Sequence, residues 1–281
     1  MLLTISIGNS HTAFAVHAAA GNGRRSDFRL RTDPRRTVDE LALWVTDLLA
    51  RDALSGHDIG AVCICSVVPE ATATVVALCR AAFGVPPLVV RPGVRTGLKV
   101  RYRPTSALGA DRFVDAVAAH AAYGAPVVVV DFGTATTINV VDRSGTFVGG
   151  AIAPGIGIAA AALAEAGARL VRVDVEAPSP PLVGRTTESA VQSGLIHGHA
   201  ALVDGLLGRI LAALGASATP AGDRAMARGE GTSDDVPIVA TGGWAAVMVP
   251  HVPRITTVHS GLIHDGLRLV WERRAHVPRA A

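Results

Sequence analysis

The stretch Val127–Thr137, VVVVDFGTATT, constrains the fold of this chain more than any other. Four β-branched apolar residues in a row predict a strand buried on both faces. The strand ends in Asp131 and turns through Phe132-Gly133 into Thr134, Thr136 and Thr137. A carboxylate followed by glycine and hydroxyls suits a phosphate. Glycine lets the backbone come close, amides and hydroxyls donate to phosphate oxygens, and the carboxylate can hold a cation. A weaker copy opens the chain: Leu2–Ile7 as strand, then Gly8, Asn9, Ser10 and Thr12 as turn, with Ser6 where the second copy has Asp131. The two glycines, Gly8 and Gly133, are 125 residues apart, and each motif begins a β-meander, which implies internal duplication. The expectation is an α/β protein of two similar lobes, 1–115 and 116–281. A ligand is expected in the cleft between the lobes, at the carboxyl ends of strands.

The remaining elements follow in order. Thr12–His17 and Asp27–Arg31 continue the first meander. Thr37 caps a helix running to about Arg51, with Glu40 completing a capping box. Ile59–Ser66 is a buried strand, Glu70–Phe83 a helix and Pro86–Val90 a strand. Arg91–Thr105 is irregular and rich in Pro, Gly and Arg, a candidate for function rather than core. Ala107–Tyr123 is a helix. Thr136–Asp142 and Thr146–Ile152 pair across a turn. Ala153–Gly157 opens an Ala-rich helix, and Thr187–Leu214 forms a long one with a break expected near Gly194–Gly198. The stretch 216–235 is polar, Gly- and Ala-rich and aperiodic, the signature of a solvated, flexible insertion. Pro237–Ala240 is a strand ending in Thr241-Gly242-Gly243, and Ser260–Arg273 closes the chain as a helix.

Several function classes are excluded or disfavoured. The chain has 281 residues, 49% apolar and only 17% charged, enough for a substantial core. Net charge is +3, and the cluster of Arg24, Arg25, Arg29, Arg31, Arg35 and Arg36 has no interleaved aromatics. That reads as a solvated face, with no nucleic-acid partner. Lys99 is the only lysine, so a GxxxxGK[ST] phosphate loop is absent. Ser193 with His197 and His199 imitates a hydrolase set, but on a helix such sets are mostly accidental. Cys63, Cys65 and Cys79 lie in apolar contexts, as buried thiols in a reducing compartment do. No signal peptide and no apolar run long enough for a membrane helix are visible, so a cytoplasmic protein with no membrane partner is expected.

Asp111 carries more information. It stands next to Arg112, just after Gly109, at the start of a helix beside the irregular loop. Two readings stay open: a helix-start carboxylate favoured by the macrodipole, or a general base aimed at a substrate hydroxyl with Arg112 gripping substrate or phosphate. Thr241-Gly242-Gly243 is a third Gly-rich turn, suited to close approach by a nucleoside. Thr186, Thr187 and Gln192 could donate to a ligand, or simply cap and decorate a helix.

Together these residues resemble the type III pantothenate kinase family of the acetate/sugar kinase–Hsp70–actin superfamily. The resemblance runs through LLTISIGNSHT, RLRTDPRRTVDELAL, CSVVPE, RPGVRTGL, LGADR, VVVVDFGTATT, GTFVGGAIAPGIGI, VGRTTESAVQSG, ALVDGL, VATGG and GLRLVWERR, nearly the whole chain. It implies a duplicated actin-like, ribonuclease H-like two-lobe fold. It also implies ATP-dependent phosphorylation of pantothenate, the first step of coenzyme A synthesis, with Mg²⁺ and a monovalent cation (K⁺ or NH₄⁺), by a homodimer. Position by position, it implies phosphate turns at Gly8, Asn9 and Ser10 and at Gly133, Thr134 and Thr136. Asp131 would hold the monovalent cation and Asp111 would be the general base. Tyr102, Gly109, Arg112 and Thr187 would meet pantothenate, Thr187 across the dimer interface, and Gly242 and Gly243 would flank the nucleoside.

Two positions and one loop depart from the family pattern. Ser6 stands where the family has an aspartate that orients Mg²⁺ or its waters, and a neutral hydroxyl is a poor ligand for that ion. Asn139 stands where aspartate is frequent, and the 102–107 loop differs from the usual sequence. The expectations are therefore a pantothenate kinase with activity lowered by Ser6, a kinase for another small hydroxyl compound, or a binding or regulatory protein on the same scaffold.

Overall fold

A computed structural model describes residues 1–18, 23–91, 94, 96–167, 173–175, 180–215 and 236–275. The insertion expected at 216–235 and part of the loop expected at 178–181 lie outside these residues. The chain divides into two compact units, Met1–Ala118 with Leu262–Ala281, and Ala119–Gly261.

The first unit begins with the antiparallel meander β1 (Leu2–Ile7), β2 (His11–His17) and β3 (Arg24–Arg31). Helix α1 (Val38–Arg51) follows, then β4 (Ala61–Ser66), α2 (Pro69–Phe83) and β5 (Leu88–Val89). The strand order is β3-β2-β1-β4-β5, with β4 parallel to β1 and β5 parallel to β4. A two-residue strand β6 (Lys99–Val100) and α3 (Ala110–Tyr123) come next in the chain. Helix α1 has the expected cap. The Thr37 hydroxyl accepts from the Glu40 N–H, and the Glu40 carboxylate accepts from the Thr37 N–H at 2.8 Å. It buries Leu41, Val45 and Leu49, one residue per turn on a single stripe. Helix α2 starts on Pro69 and stops at Gly84, whose φ of 66° is the left-handed conformation that glycine adopts without penalty.

The second unit repeats the plan. Strands β7 (Val127–Phe132), β8 (Ala135–Val141) and β9 (Thr146–Pro154) form the meander. Helices α4 (Ile156–Ala166) and α5 (Thr187–Ala213) follow, then β10 (Ile238–Thr241), the short α6 (Ala245–Met248) and β11 (Thr257–Val258). Within the unit the order is β9-β8-β7-β10-β11, with β10 parallel to β7 and β11 parallel to β10. The duplication shows in the strand registers. Ile7 pairs with Thr12 and Phe132 with Thr136, so the turns occupy the same place, the first longer by one residue. Ser6 pairs with Cys65 across the parallel ladder and Asp131 pairs with Thr241 in the same way. Ser6 is therefore the structural counterpart of Asp131.

Two sequence expectations are revised. Helix α5 runs unbroken through Gly194 and Gly198, because Ser193, Leu195, Ile196, His199 and Ala200 are buried there and their packing outweighs the low helix propensity of glycine. By length and composition this helix is also apolar enough to cross a membrane, contrary to the reading that no such segment exists. It instead lends Val203, Leu207 and Leu211 to the core of the second unit, alongside Val128, Val130 and Phe132 of β7.

The closing helix α7 (Leu262–Ala275), placed in the second lobe by the sequence reading, is grouped with the first unit. It packs on β1, β2 and β4, and a buried polar cluster ties it there. The Thr4 hydroxyl donates to the Ala15 carbonyl at 3.1 Å, which leaves its oxygen to accept from His17 Nε2 at 3.0 Å and His264 Nδ1 at 2.9 Å. Burial first, then the nearby Arg268, pushes the His17 pKa down to about 4. Burial and then Arg24 push His264 down to about 3. Both rings are neutral when folded but titrate near the usual 6.5 when unfolded. As pH falls, the unfolded chain takes up protons first. The stability from this cluster is whole above about pH 6.5 and is lost as pH falls toward 4 and then 3. We expect the melting temperature to fall by roughly 10 °C between pH 6.5 and 4, read by calorimetry, and His264→Gln to blunt that fall. A flat profile across that window would contradict the neutral cluster.

Candidate active site

Each unit carries its own set of candidate residues. In the first, Gly8 closes the turn by donating its N–H to the His11 carbonyl at 3.0 Å, and Asn9 and Ser10 at the tip are exposed. Ser6, half-buried at the end of β1, accepts from the Cys65 thiol at 3.6 Å. Burial pushes the Cys65 thiol well above its ordinary pKa, the Ser6 contact opposes this, and the carboxylates of Asp111 and Asp115 push it further up. Those carboxylates therefore lie close enough to the β1–β4 strand ends to be felt there. Cys65 is inert as a thiolate, and burial pushes Cys63 and Cys79 up to about 12, as buried structural thiols require.

Asp111 sits in the first turn of α3, whose N-terminal dipole favours an anion. Its Oδ1 accepts from the Arg112 backbone N–H at 2.8 Å. A Cβ on Gly109 would lie 2.5 Å from that oxygen, so only glycine admits the carboxylate in this position. Arg112 is 6% exposed; its guanidinium lies 5.6 Å from the Tyr102 ring centre, with Nη1 3.5 Å from the Tyr102 hydroxyl. Tyr102, Gly109, Asp111 and Arg112 are thus brought together. Asp115, one helical turn beyond Asp111 and 3% exposed, was missed by sequence reasoning. The four-residue spacing, which puts both carboxylates on one helix face, is the signal that could have found it.

In the second unit Asp131, Gly133 and Gly242 converge. A Cβ on Gly133 would lie 3.4 Å from both Asp131 carboxylate oxygens, and one on Gly242 would lie 2.2 Å from Oδ1. Gly242 has φ 93°, and the chain leaves it through Trp244, whose N–H donates to the Phe132 carbonyl at 3.0 Å. Thr134 is half-buried in the turn, and Gly242 and Gly243 are exposed. Thr136 lies elsewhere: it is 2% exposed, and its hydroxyl lies 2.9 Å from His199 Nε2. Strand alternation turns this hydroxyl into the core rather than toward the turn. His199 is held neutral by burial, which lowers its pKa. Asn139 is fully buried, and its amide donates to Thr137 Oγ1 at 3.2 Å, a setting in which a carboxylate would be costly.

Thr187 is exposed at the start of α5, behind the Thr186 cap that binds the Ser189 N–H at 3.1 Å. Gln192 donates to the Asp174 carbonyl. Ser193 donates to the Leu182 carbonyl, and His197 lies 3.0 Å from the Pro180 carbonyl, so no hydrolase set forms. Among the described residues no group of three or more His, Cys, Asp or Glu could hold a metal ion. A hard cation bound with ATP would draw most of its oxygens from phosphate and water. That donor set fits Mg²⁺, which keeps waters and takes only one or two carboxylates.

Two meanders of identical strand order, each with a glycine turn at the carboxyl end of its first strand, define a duplicated actin-like fold. Comparison with solved structures agrees at the level of the fold. A Baf family protein from Campylobacter jejuni, described as a transcriptional activator, aligns over 98% of this chain and 100% of its own at 16% identity and a TM-score of 0.58. A ROK family glucokinase from Streptomyces griseus, bound to glucose and AMPPNP, aligns over 96% and 98% at 12% identity and a TM-score of 0.51. The sequence is more specific. The family model for type III pantothenate kinase matches residues 2–209, and a type III pantothenate kinase of Rhodospirillum centenum is 40% identical over 98% of this chain and 99% of its own length. The chain belongs to the type III pantothenate kinase family.

Proposed function

We propose that this chain transfers the γ-phosphoryl group of ATP to the primary hydroxyl of pantothenate, the first step of coenzyme A synthesis. Family membership supports the substrate, and one observation supports the chemistry: Asp111 is held at a helix start over Gly109, beside Arg112 and Tyr102. In this reading the Asp111 carboxylate takes the hydroxyl proton as that oxygen bonds to the γ-phosphorus. The bond to the β,γ-bridging oxygen breaks and ADP leaves with its electron pair. Arg112 and Tyr102 bind and orient pantothenate, for whose carboxylate a guanidinium fork is well matched. Gly8, Asn9 and Ser10 form one phosphate turn and Gly133 and Thr134 the other. The Gly8 and Gly133 N–H groups close their turns on the His11 and Ala135 carbonyls, and Asn9, Ser10 and Thr134 are the donors to phosphate oxygens, while Gly242 and Gly243 flank the nucleoside. Such a sparse set is sufficient, because phosphoryl transfer depends mainly on positioning and charge neutralisation.

Mg²⁺ bound with ATP would supply charge neutralisation on the phosphates, and Ser6 would offer it a hydroxyl in place of a carboxylate. Asp131 is the carboxylate suited to a monovalent cation, K⁺ or NH₄⁺. Thr187, exposed at the start of α5, reaches the pantothenate of a second copy in a homodimer, and the enzyme works in the cytoplasm. A coupled ADP-release assay on the wild type and on Ser6→Asp tests the reading, with pantothenate and a panel of other small alcohols as acceptors. Pantothenate-dependent release is expected from both proteins, faster in Ser6→Asp. Release from neither defeats the proposal, and release with another alcohol alone assigns a different acceptor.

A further inference from the structure

The two glycine turns are gripped in the same way by the strand that ends each meander. In the first unit the backbone N–H of Thr32, just past β3, donates to the Ser10 carbonyl at 3.0 Å. The Thr32 hydroxyl donates to the Gly8 carbonyl at 2.7 Å. The Thr12 hydroxyl lies 2.9 Å from the Thr32 oxygen and, with the Thr32 proton already committed, is the donor of that bond. The carbonyl of one residue and the N–H of the next point in opposite directions across a planar trans peptide. Holding the Gly8 carbonyl toward Thr32 therefore turns the Asn9 N–H away from β3, toward the open side of the turn.

Thr32 has a counterpart. Thr12 pairs with Leu30 and Thr136 with Ala153, so two residues further on Thr32 matches Gly155. The Gly155 N–H donates to the Thr134 carbonyl at 3.2 Å, the same bond in the second copy. A Cβ on Gly155 would lie 2.3 Å from the Thr134 oxygen and 2.6 Å from the Gly133 oxygen, so both carbonyls of this turn press directly on residue 155. The first turn is one residue longer between its closing pairs, Ile7–Thr12 against Phe132–Thr136, and there a hydroxyl spans the gap that glycine closes by contact.

We propose that Thr32 and Gly155 are positioning residues for ATP. Each draws two carbonyls of its turn inward, those of Gly8 and Ser10 in the first and of Gly133 and Thr134 in the second, so that the turn presents amide N–H groups rather than these oxygens to the phosphate. The proposal rests on the reading that both turns bind phosphate. Its test is ATP affinity by calorimetry, with KM for ATP and for pantothenate, on Thr32→Val, Thr32→Ser and Gly155→Ala. Thr32→Val keeps the shape and loses the hydroxyl; it should raise the ATP Kd and KM about tenfold, the scale of one hydrogen bond, with the pantothenate KM and the melting temperature near wild type. Thr32→Ser should restore wild-type affinity, and Gly155→Ala should exceed the Thr32→Val effect. Should Thr32→Val not be recovered folded, Thr32→Ala against Thr32→Ser gives the same contrast. Wild-type affinity in Thr32→Val, or Thr32→Ser as weak as Thr32→Val, overturns the clamp. A wild type that binds no ATP overturns the phosphate reading of the turns instead.

Discussion

Replacing Asp111 by Asn is expected to lower kcat about a thousandfold, within the range that a positioned general base contributes, while the ATP Kd stays within about twofold of wild type. The substitution is nearly isosteric. An amide oxygen can still accept from the Arg112 N–H, and the carboxamide still fits over Gly109, so the start of α3 should hold. What is lost is the capacity to take a proton. Steady-state kinetics and nucleotide calorimetry separate the two effects. Full activity in Asp111→Asn would return this carboxylate to its other reading, an anion stabilised by a helix dipole.

The second large effect is expected at Gly242. Its φ of 93° is strained for any residue with a Cβ, and that Cβ would lie 2.2 Å from Asp131 Oδ1 and 2.6 Å from the carbonyl carbon and oxygen of Phe132. Two of these three atoms belong to the backbone of the central strand β7 and cannot step aside cheaply. Gly242→Ala must displace either the Thr241–Gly243 turn or the Asp131 carboxylate. A shift of about 1 Å at such a site costs about a hundredfold in rate, roughly 3 kcal/mol in the transition state. The loss should appear in kcat/KM for ATP. A variant with wild-type kcat/KM would mean that neither the turn nor Asp131 serves the nucleotide.

The fold was legible where the signals are local. The run Val127–Val130, the glycines after each first strand and the Thr37–Glu40 capping box each set their structure within a few residues. The equivalence of Ser6 and Asp131 could be read because a duplicated strand and turn keep their spacing. What could not be read depends on distant partners. Thr136 looked like a phosphate ligand because three threonines follow Gly133. Alternation along β8 and a histidine 63 residues away decide where its hydroxyl goes. Thr32 grips Gly8 from 24 residues away, and α7 joins the first unit through His264 and Thr4, 260 residues apart. Asp115 was passed over because a buried carboxylate in an apolar helix is invisible until the helix face is known. Glycine propensity suggested a break in α5, and core packing overrode it.

The central claim is that the phosphoryl group reaches the pantothenate hydroxyl even though Ser6 stands in for an acid. Phosphorus NMR of the wild-type protein with ATP, Mg²⁺, K⁺ and pantothenate tests it most directly. The account predicts a phosphomonoester resonance that grows in step with ADP and is absent for Asp111→Asn. ADP accompanied only by inorganic phosphate, or no loss of ATP at all, would contradict it.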